Sequence, residues 1–361
     1  MKSFIRCFSI FLFIGLLVIC SCEKNPSDLV IDQSNEKPEI LYIARKLVTQ
    51  GWGAAVSINI MNAQGGNQKE IISISNGYVK DPYFSNDGEK IVFVMHSDTL
   101  GVGENLFTIN YDGTDLSRIT LTDTTLTYFV PQFIPDALKV IYLARVNNQE
   151  IQIRILDIMS KQQTVLVSQT NYWQRPVITL DGKFILYNNI DENVHKIAVD
   201  GSSDIKLTDL NYSNQIQISG DGNTVYFVSQ IGNQLFDLFS MDLNGNNLNR
   251  VTNLNDLSNA YFRISLDGSK IINLTGSPSG YSFDIMNSDG SERKTIPINK
   301  SCWDSFEFFP DGKNVIYEVD GDPDHNNDDH IYRIGISGRN MQILSLDKYN
   351  HNQFCCFRPE I

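Results

Sequence analysis

The chain has 361 residues, 42% hydrophobic and 11% aromatic, with 29 basic against 42 acidic side chains and a formal net charge of −13. That is enough apolar material for a large core. Phosphate backbones are held by clustered Lys and Arg, so this balance excludes nucleic acid as a partner and fits a solvated acidic surface.

In chain order, Lys2 and Arg6 precede an apolar run from Ile10 to Ile19. This is the layout of a targeting segment, too short to read as a membrane span. It ends Ile19-Cys20-Ser21-Cys22, with an aliphatic residue three before Cys22 and a small residue just before it. The pattern resembles the bacterial lipoprotein lipobox. The resemblance implies that 1–21 is a signal peptide, that Cys22 is lipidated, and that a lipid anchor holds the protein to a membrane of the cell envelope, on its periplasmic or surface side. The alternative is a secreted protein with an incidental cysteine. Residues 22–38 are polar, with Pro26, Ser27 and Asn35, and read as a flexible tether. Removal of the leader takes Cys7 and Cys20 and leaves Cys302, Cys355 and Cys356 beside Cys22. A single bridge from Cys302 to the adjacent pair, or three buried thiols, both remain open.

From residue 39 onward one phrase returns. Phe308-Phe309-Pro310-Asp311-Gly312-Lys313-Asn314-Val315-Ile316-Tyr317 reads as a strand, an Asp-Gly turn and a second strand. Copies stand at Phe84 to Gly88, Ile178 to Gly182, Ile218 to Gly222 and Ile264 to Gly268, with a variant at Phe133 to Ala137. The second turn positions, 88, 137, 182, 222, 268 and 312, are spaced by 49, 45, 40, 46 and 44 residues. A period of this size with four short strands per unit, here A to D, predicts a β-propeller. In the copy beginning at Asp81, A is Asp81 to Ser85, B is Lys90 to Val94, C is Leu106 to Asn110 and D is Ser117 to Thr120.

Strand A alternates. Phe84, Phe133, Ile178, Ile218, Ile264 and Phe308, with Pro82, Pro131, Pro176, Ile216, Phe262 and Phe306, should pack between blades. Tyr83, Gln132, Val177, Gln217, Arg263 and Glu307 should face a central channel. The segment from Glu39 starts at a strand B, and its missing strand A reappears as Phe354-Cys355-Cys356-Phe357-Arg358-Pro359-Glu360. The expected fold is therefore all-β: a seven-bladed β-propeller over 39–361 with four-stranded antiparallel blades. Its first blade is a composite of 39–76 and 352–361, closed by pairing of the C-terminal strand with the N-terminal blade.

Three features together resemble TolB-type propeller repeats: the Asp-Gly phrase, an aromatic strand B, and an Asp-Gly or Asn-Gly turn before a basic–aliphatic–Thr ending. Copies of that ending are Arg118-Ile119-Thr120, Lys206-Leu207-Thr208 and Arg250-Val251-Thr252. TolB carries a separate N-terminal domain and a six-bladed ring, which this sequence does not match. Peptidases with such a propeller carry a hydrolase domain and a Gly-x-Ser-x-Gly elbow, and neither is present.

The tight A–B and C–D turns share one end of the ring. The B–C and D–A connections share the other and vary in length, so binding is expected there. His96, His195, His325, His330 and His351 fall at that end, as a metal or acid–base cluster or as ordinary loop residues. Asp320, Asp322, Asp324 and Asp328 lie in an acidic stretch that resembles a calcium loop, although position six is His325 and position twelve Ile331; a solvated loop is the alternative. Tyr78, Tyr128, Tyr172, Trp173, Tyr212 and Trp303 precede or open strand A, and Trp52 lies in a B–C loop. They read as a platform for sugar rings or peptide side chains, or as packing residues sealing each blade. Arg145, Arg175 and Arg263 add anion contacts or pair with neighbouring carboxylates.

The expected function is a monomeric, lipid-anchored envelope propeller that binds a protein, peptide or glycan and performs no chemistry. The binding set is Trp52, His96, Arg145, Trp173, Arg263, Trp303 and His351. The alternatives are a metal-dependent polysaccharide lyase using His96, His325, His330 and His351, or a TolB-like envelope scaffold.

Overall fold

The structure, a computed structural model, describes residues 38–46, 55–121, 123–135, 137–147, 149–168, 174–232, 235–253, 261–277, 280–298, 300–322, 324, 328–345 and 351–359. Glu36–Ile361 form one compact unit; the other unit, Met1–Asn35, lies outside the described residues, and with it the leader, Cys22 and most of the tether. Among the described residues every regular element is a strand, and no helix is long and apolar enough to cross a membrane.

Five sheets have four antiparallel strands each. One runs Gly77–Phe84, Lys90–Ser97, Val102–Asn110 and Ser117–Arg118. The others begin with Leu126–Phe133, Val177–Ile178, Asn211–Ile218 and Tyr261–Ile264. A sixth, mixed sheet has eight strands. It joins Cys302–Phe308, Asn314–Asp322, Asp328–Gly335 and Gln342–Ile343 to His351–Phe357, Glu39–Lys46, Ala55–Asn62 and Lys69–Ile74. Among the described residues the strand pairing between its halves is one parallel bridge, Asp329 opposite His351. Within the second half the C-terminal strand pairs antiparallel with the first strand, Phe357 opposite Ile40 and Phe354 opposite Tyr42.

The core lies between sheets because the middle strands have two apolar faces, whereas outer strands such as Asp204–Lys206 are exposed. Along Glu39–Lys46, Leu41 and Ile43 pack with Phe84, Phe93 and Phe107. Ile40, Tyr42 and Ala44 point the opposite way, onto Phe309, Ile316 and Ile331. Each such fully buried side chain contributes about 1.5–3 kcal/mol, so a sheet alone, with one face wet, would not hold.

Two local devices repeat. In the A–B turn a hydroxyl and an aspartate lock each other. Ser219 Oγ donates to Asp221 Oδ1 at 2.6 Å, the Asn223 N–H donates to the same oxygen at 3.0 Å, and the Thr224 N–H donates back to Ser219 Oγ at 3.0 Å. Gly222 completes the turn at φ 76, where a side chain would be strained. Thr179 with Asp181 and Ser265 with Asp267 repeat the arrangement. These bonds pull the Asp221 carboxyl down to about 2, with the Ser219 hydroxyl first among the causes.

At the outer edge the basic–aliphatic–Thr ending is explained by Thr120, Thr208 and Thr252, all buried. Each hydroxyl accepts an N–H of strand C, from Leu106, Val194 or Leu238, and donates to the side chain of the residue just before it, Asn105, Asn193 or Asp237.

Inner strands carry a β-bulge at a common place, between Lys80 and Tyr83, Phe129 and Gln132, and Asn214 and Gln217. Pro82 and Pro131 have no N–H to give the ladder, which favours the interruption there. Asp81, Val130 and Gln215 within these bulges adopt positive φ. The bulges free side chains to stitch neighbouring sheets. Asp81 Oδ2 accepts the Val130 N–H at 3.0 Å, Gln174 Oε1 accepts the Gln215 N–H at 2.8 Å, and Gln132 Nε2 donates to the Pro176 carbonyl at 3.0 Å.

Two expected boundaries change. Strand C of the second unit starts at Val102, not Leu106, which puts Glu104 on a strand. The acidic stretch is not one loop. Asp320 and Asp322 end one strand, Asp328 opens the next, and Asp322 lies opposite Asp328 across a hairpin. Strand pairing outcompetes a ligand loop here because Ile316 to Val319 and Ile331 to Ile334 bury both faces.

Candidate functional site

Two clusters stand out, both built on inner strands. The first lies at the end carrying the B–C and D–A connections. Tyr78 and Lys80 begin the inner strand Gly77–Phe84, and Tyr78 sits opposite His96 on the next strand. The two rings stack at 5.3 Å, and His96 Nε2 lies 3.1 Å from Asp98 Oδ1. Glu104 gathers the cluster: it accepts from the Tyr78 hydroxyl, from Lys80 Nζ at 3.1 Å and from the Tyr128 N–H at 2.6 Å. Lys80 Nζ and the Arg145 guanidinium both lie over the ring of Phe129, at 4.2 and 5.7 Å from its centre. Burial and the Glu104 carboxylate push the Tyr78 hydroxyl well above its usual range, so it stays a neutral donor. Tyr78 nevertheless keeps 38% of its surface exposed. The result is an open aromatic face flanked by cations held in place on rings, able to grip a sugar or aromatic ring and an anionic group together.

The second cluster lies deeper along the inner strands. The Arg175 guanidinium sits 4.7 Å from the centre of the Tyr83 ring, reaching past the strand that carries Gln132. Arg263 lies 5.0 Å over Phe306, and its Nε is 3.5 Å from Glu307 Oε2. Burial pushes the Glu307 carboxyl up to about 7, with Arg263 opposing the rise. Burial also raises the Tyr83 hydroxyl, which Arg175 partly offsets and which both Cys356 and Glu307 reinforce. The Cys356 thiol rises to about 11, again through burial.

Of the binding residues expected from sequence, His96 and Arg145 come together in the first cluster, and Arg263 falls in the second. Trp52, Trp173 and His325 lie outside the described residues. Trp303 belongs to the strand Cys302–Phe308, but its side chain and that of Asp322 lie outside them too. His351 Nδ1 pairs with Asp329 Oδ2 at 2.5 Å, at the bridge between the halves of the eight-stranded sheet. His330 is buried: its Nδ1 meets the Ser345 carbonyl at 3.1 Å, while Ser345 Oγ accepts the Ile331 N–H. It occupies the place of Asn105 and Asn193 in the repeat, so it is a packing histidine rather than a loop residue. His195 is also buried, between Asp191 and Asp204.

Asp324 pairs with Lys300 at 2.8 Å, and Asp320 shares a hydrogen bond with Asp329. Among the described residues no group of three or more His, Cys, Asp or Glu side chains is placed to hold a metal ion, so the calcium expectation finds no assembled donor set there. Of the tyrosines, Tyr172 lies outside the described residues, Tyr128 is fully buried and Tyr212 packs edge-on to Phe236, which makes these two packing residues, while Tyr78 remains open. Cys302, Cys355 and Cys356 are free thiols. Sequence reading missed Lys80, Glu104 and Phe129. Their signal was weak, because the bulge that turns Lys80 and Phe129 toward one another breaks the alternation of strand A.

No family model and no curated protein sequence matches the chain. Among solved structures, TolB from Acinetobacter baumannii is similar over 88% of this chain and 83% of its own, at 16% identity and a TM-score of 0.52. An oligogalacturonate lyase from Vibrio parahaemolyticus is similar over 83% of this chain and 92% of its own, at 12% identity and a TM-score of 0.66. An oligogalacturonate lyase in complex with manganese gives 81% and 89%, 11% identity and a TM-score of 0.64. At such identities the likeness speaks for the fold alone, a TolB-like β-propeller.

Proposed function

We propose that this protein is a lipid-anchored, seven-bladed propeller of the bacterial cell envelope that binds a protein, peptide or glycan through the end bearing Tyr78, without chemistry of its own. The seven blades are supported by the eight-stranded sheet, which divides at the Asp329–His351 bridge into two four-stranded halves beside five separate sheets. Pairing of His351–Phe357 with Glu39–Lys46 supports closure of the ring by its two ends. Anchoring rests on the lipobox ending at Cys22. A Cys22→Ser chain should move from the membrane to the soluble fraction.

The observation that carries the binding reading is the open Tyr78 ring with Lys80 and Arg145 held over Phe129 beside it. A Tyr78→Ala/Lys80→Ala chain should lose capture on peptide and glycan arrays that the parent chain binds; unchanged capture overturns this face.

A second reading is favoured by the likeness to oligogalacturonate lyases, one of them in complex with manganese. The described residues do not bring a manganese donor set together, since His330 is buried and His96 and His351 are each engaged by an aspartate. Formation of unsaturated product from galacturonate oligomers, with and without added manganese, tests this reading.

A further inference from the structure

The deeper cluster carries an inference of its own, which rests on the binding reading and names its ligand chemistry. Seen from the Tyr78 end, each inner strand leads down to a mid-strand position. Tyr83, Arg263, Glu307 and Cys356 occupy it on four strands, and Arg175 reaches it from above Pro176. Gln132 and Gln217, at the same level, are spent on stitching: Gln132 Nε2 holds the Pro176 carbonyl, and Gln217 holds the Phe262 carbonyl and the Ile264 N–H. What remains is an enclosed set of two guanidiniums, one carboxyl, one phenol and one thiol. Arg263 is 22% and Glu307 34% accessible, so the pair is open to a small entrant although protein surrounds it.

Glu307 stands against Arg263 at 3.5 Å, a loose contact in place of a two-pronged one. Arg175 faces the Tyr83 ring, and among the described residues no carboxylate is paired with it. An enclosed guanidinium without a counter-ion favours an anion that can reach it. We infer that the level of Arg175 and Arg263 is the floor of a blind binding funnel and takes a carboxylate group of the ligand, with Glu307 giving up its place at Arg263 as a protonated acid. The proton comes from solvent. No covalent bond changes, and the incoming carboxylate replaces one anion by another.

The groups facing Glu307 agree with this exchange. Arg263 lies on the neighbouring inner strand. On the other side come Tyr83, neutral because its hydroxyl is raised, and Cys356, also neutral near pH 7. Near pH 7 Glu307 therefore changes its protonation readily.

The carboxylate can be that of a sugar acid or the C-terminus of a peptide, and the experiment separates them. Galacturonate, the matching neutral sugar galactose, and a tripeptide with a free or amidated C-terminus are titrated into the full chain by calorimetry, in buffers of different ionisation enthalpy at pH 7. Expected is binding of one acid and not of its neutral partner, with uptake of a fraction of a proton. Arg175→Gln and Arg263→Gln should each weaken it by about tenfold, the loss of one charge-assisted contact. Glu307→Gln should keep the binding and abolish the proton uptake. Thermal melts report whether each variant folds; if Arg263→Gln does not, Arg175→Gln decides, since that side chain is held by the Tyr83 ring and hydroxyl and not by a carboxylate among the described residues. Equal binding of acid and neutral partner, no binding of either acid, or undiminished affinity in Arg175→Gln overturns the inference. Loss of array capture in Tyr78→Ala/Lys80→Ala with no effect of Arg175→Gln sinks the floor and leaves the face; the reverse sinks the face.

Discussion

Arg358 Nη1 donates to Glu39 Oε2 at 2.7 Å, which ties the end of the last strand to the beginning of the first. The same guanidinium lies 3.6 Å over the Tyr111 ring, and its Nε donates to the Gly88 carbonyl at 3.1 Å. Burial and Glu39 push the Tyr111 hydroxyl up to about 12, so it remains a donor to that carboxylate. One arginine thus joins the C-terminal strand, the N-terminal strand and the next sheet. Both partners are mostly buried, at 18% and 25% accessible, so solvent screens the pair only in part. Arg358→Ala should cost about 1.5–3 kcal/mol, the range for hydrogen bonds to charged groups, read as a lower urea midpoint at unchanged slope.

The outer-edge threonines offer a cleaner measurement. Thr208→Val keeps the shape but leaves the Val194 N–H unsatisfied in a buried place and takes one of two donors from Asn193 Oδ1, which keeps the Leu210 N–H. Each such substitution should cost about 1–3 kcal/mol. Thr120→Val and Thr252→Val lie in other sheets with no shared partners, so their costs should add in the double variant.

His330 is expected to tolerate asparagine, because Asn105 and Asn193 fill the corresponding place in the repeat, accepting there from a threonine hydroxyl, and an asparagine amide can donate to the Ser345 carbonyl that His330 Nδ1 meets. His330→Asn should melt close to the parent, whereas His330→Leu, which removes the link, should melt several degrees lower. A loss of ligand capture in His330→Asn at unchanged stability would give that histidine a functional role.

Acid and base act on this fold through different groups. Glu307 holds its proton to about pH 7 in the folded protein, against an ordinary value of 4.5. The folded state therefore binds more protons than the unfolded chain in that window. Its contribution falls as pH rises from about 4.5 to about 7 and is level above. In Glu307→Gln this decline in melting temperature should vanish. The turn carboxylate of Asp221 has the opposite sign. Its pKa is lowered to about 2 from 3.8, so its contribution is complete above 3.8 and is lost as pH falls toward 2. Asp221→Asn should flatten the acid limb of the same curve.

The sequence by itself determined the strand order, the tight turns and the meeting of the chain ends. Each of these is written in short range: Asp-Gly with a preceding hydroxyl closes a turn whatever surrounds it, and a strand with apolar residues on both faces must lie between two sheets. The phase of the repeat was enough to place Phe354–Phe357 beside Ile40–Tyr42. What only the tertiary structure decided was which polar side chains face one another. Lys80, Glu104, Phe129 and Arg145 come from four strands in two sheets, and a bulge that no periodicity reveals turns two of them together. Arg175 meets Tyr83 across an intervening strand, while Glu307 is raised by its enclosure, against the pull of Arg263 and of the Phe308 N–H. His330 looked like a loop ligand and became a packing residue, because strand pairing between Asn314–Asp322 and Asp328–Gly335 shortened the loop around it. Local sequence sets turns and periods through backbone sterics; the pairing of side chains waits on how the sheets pack.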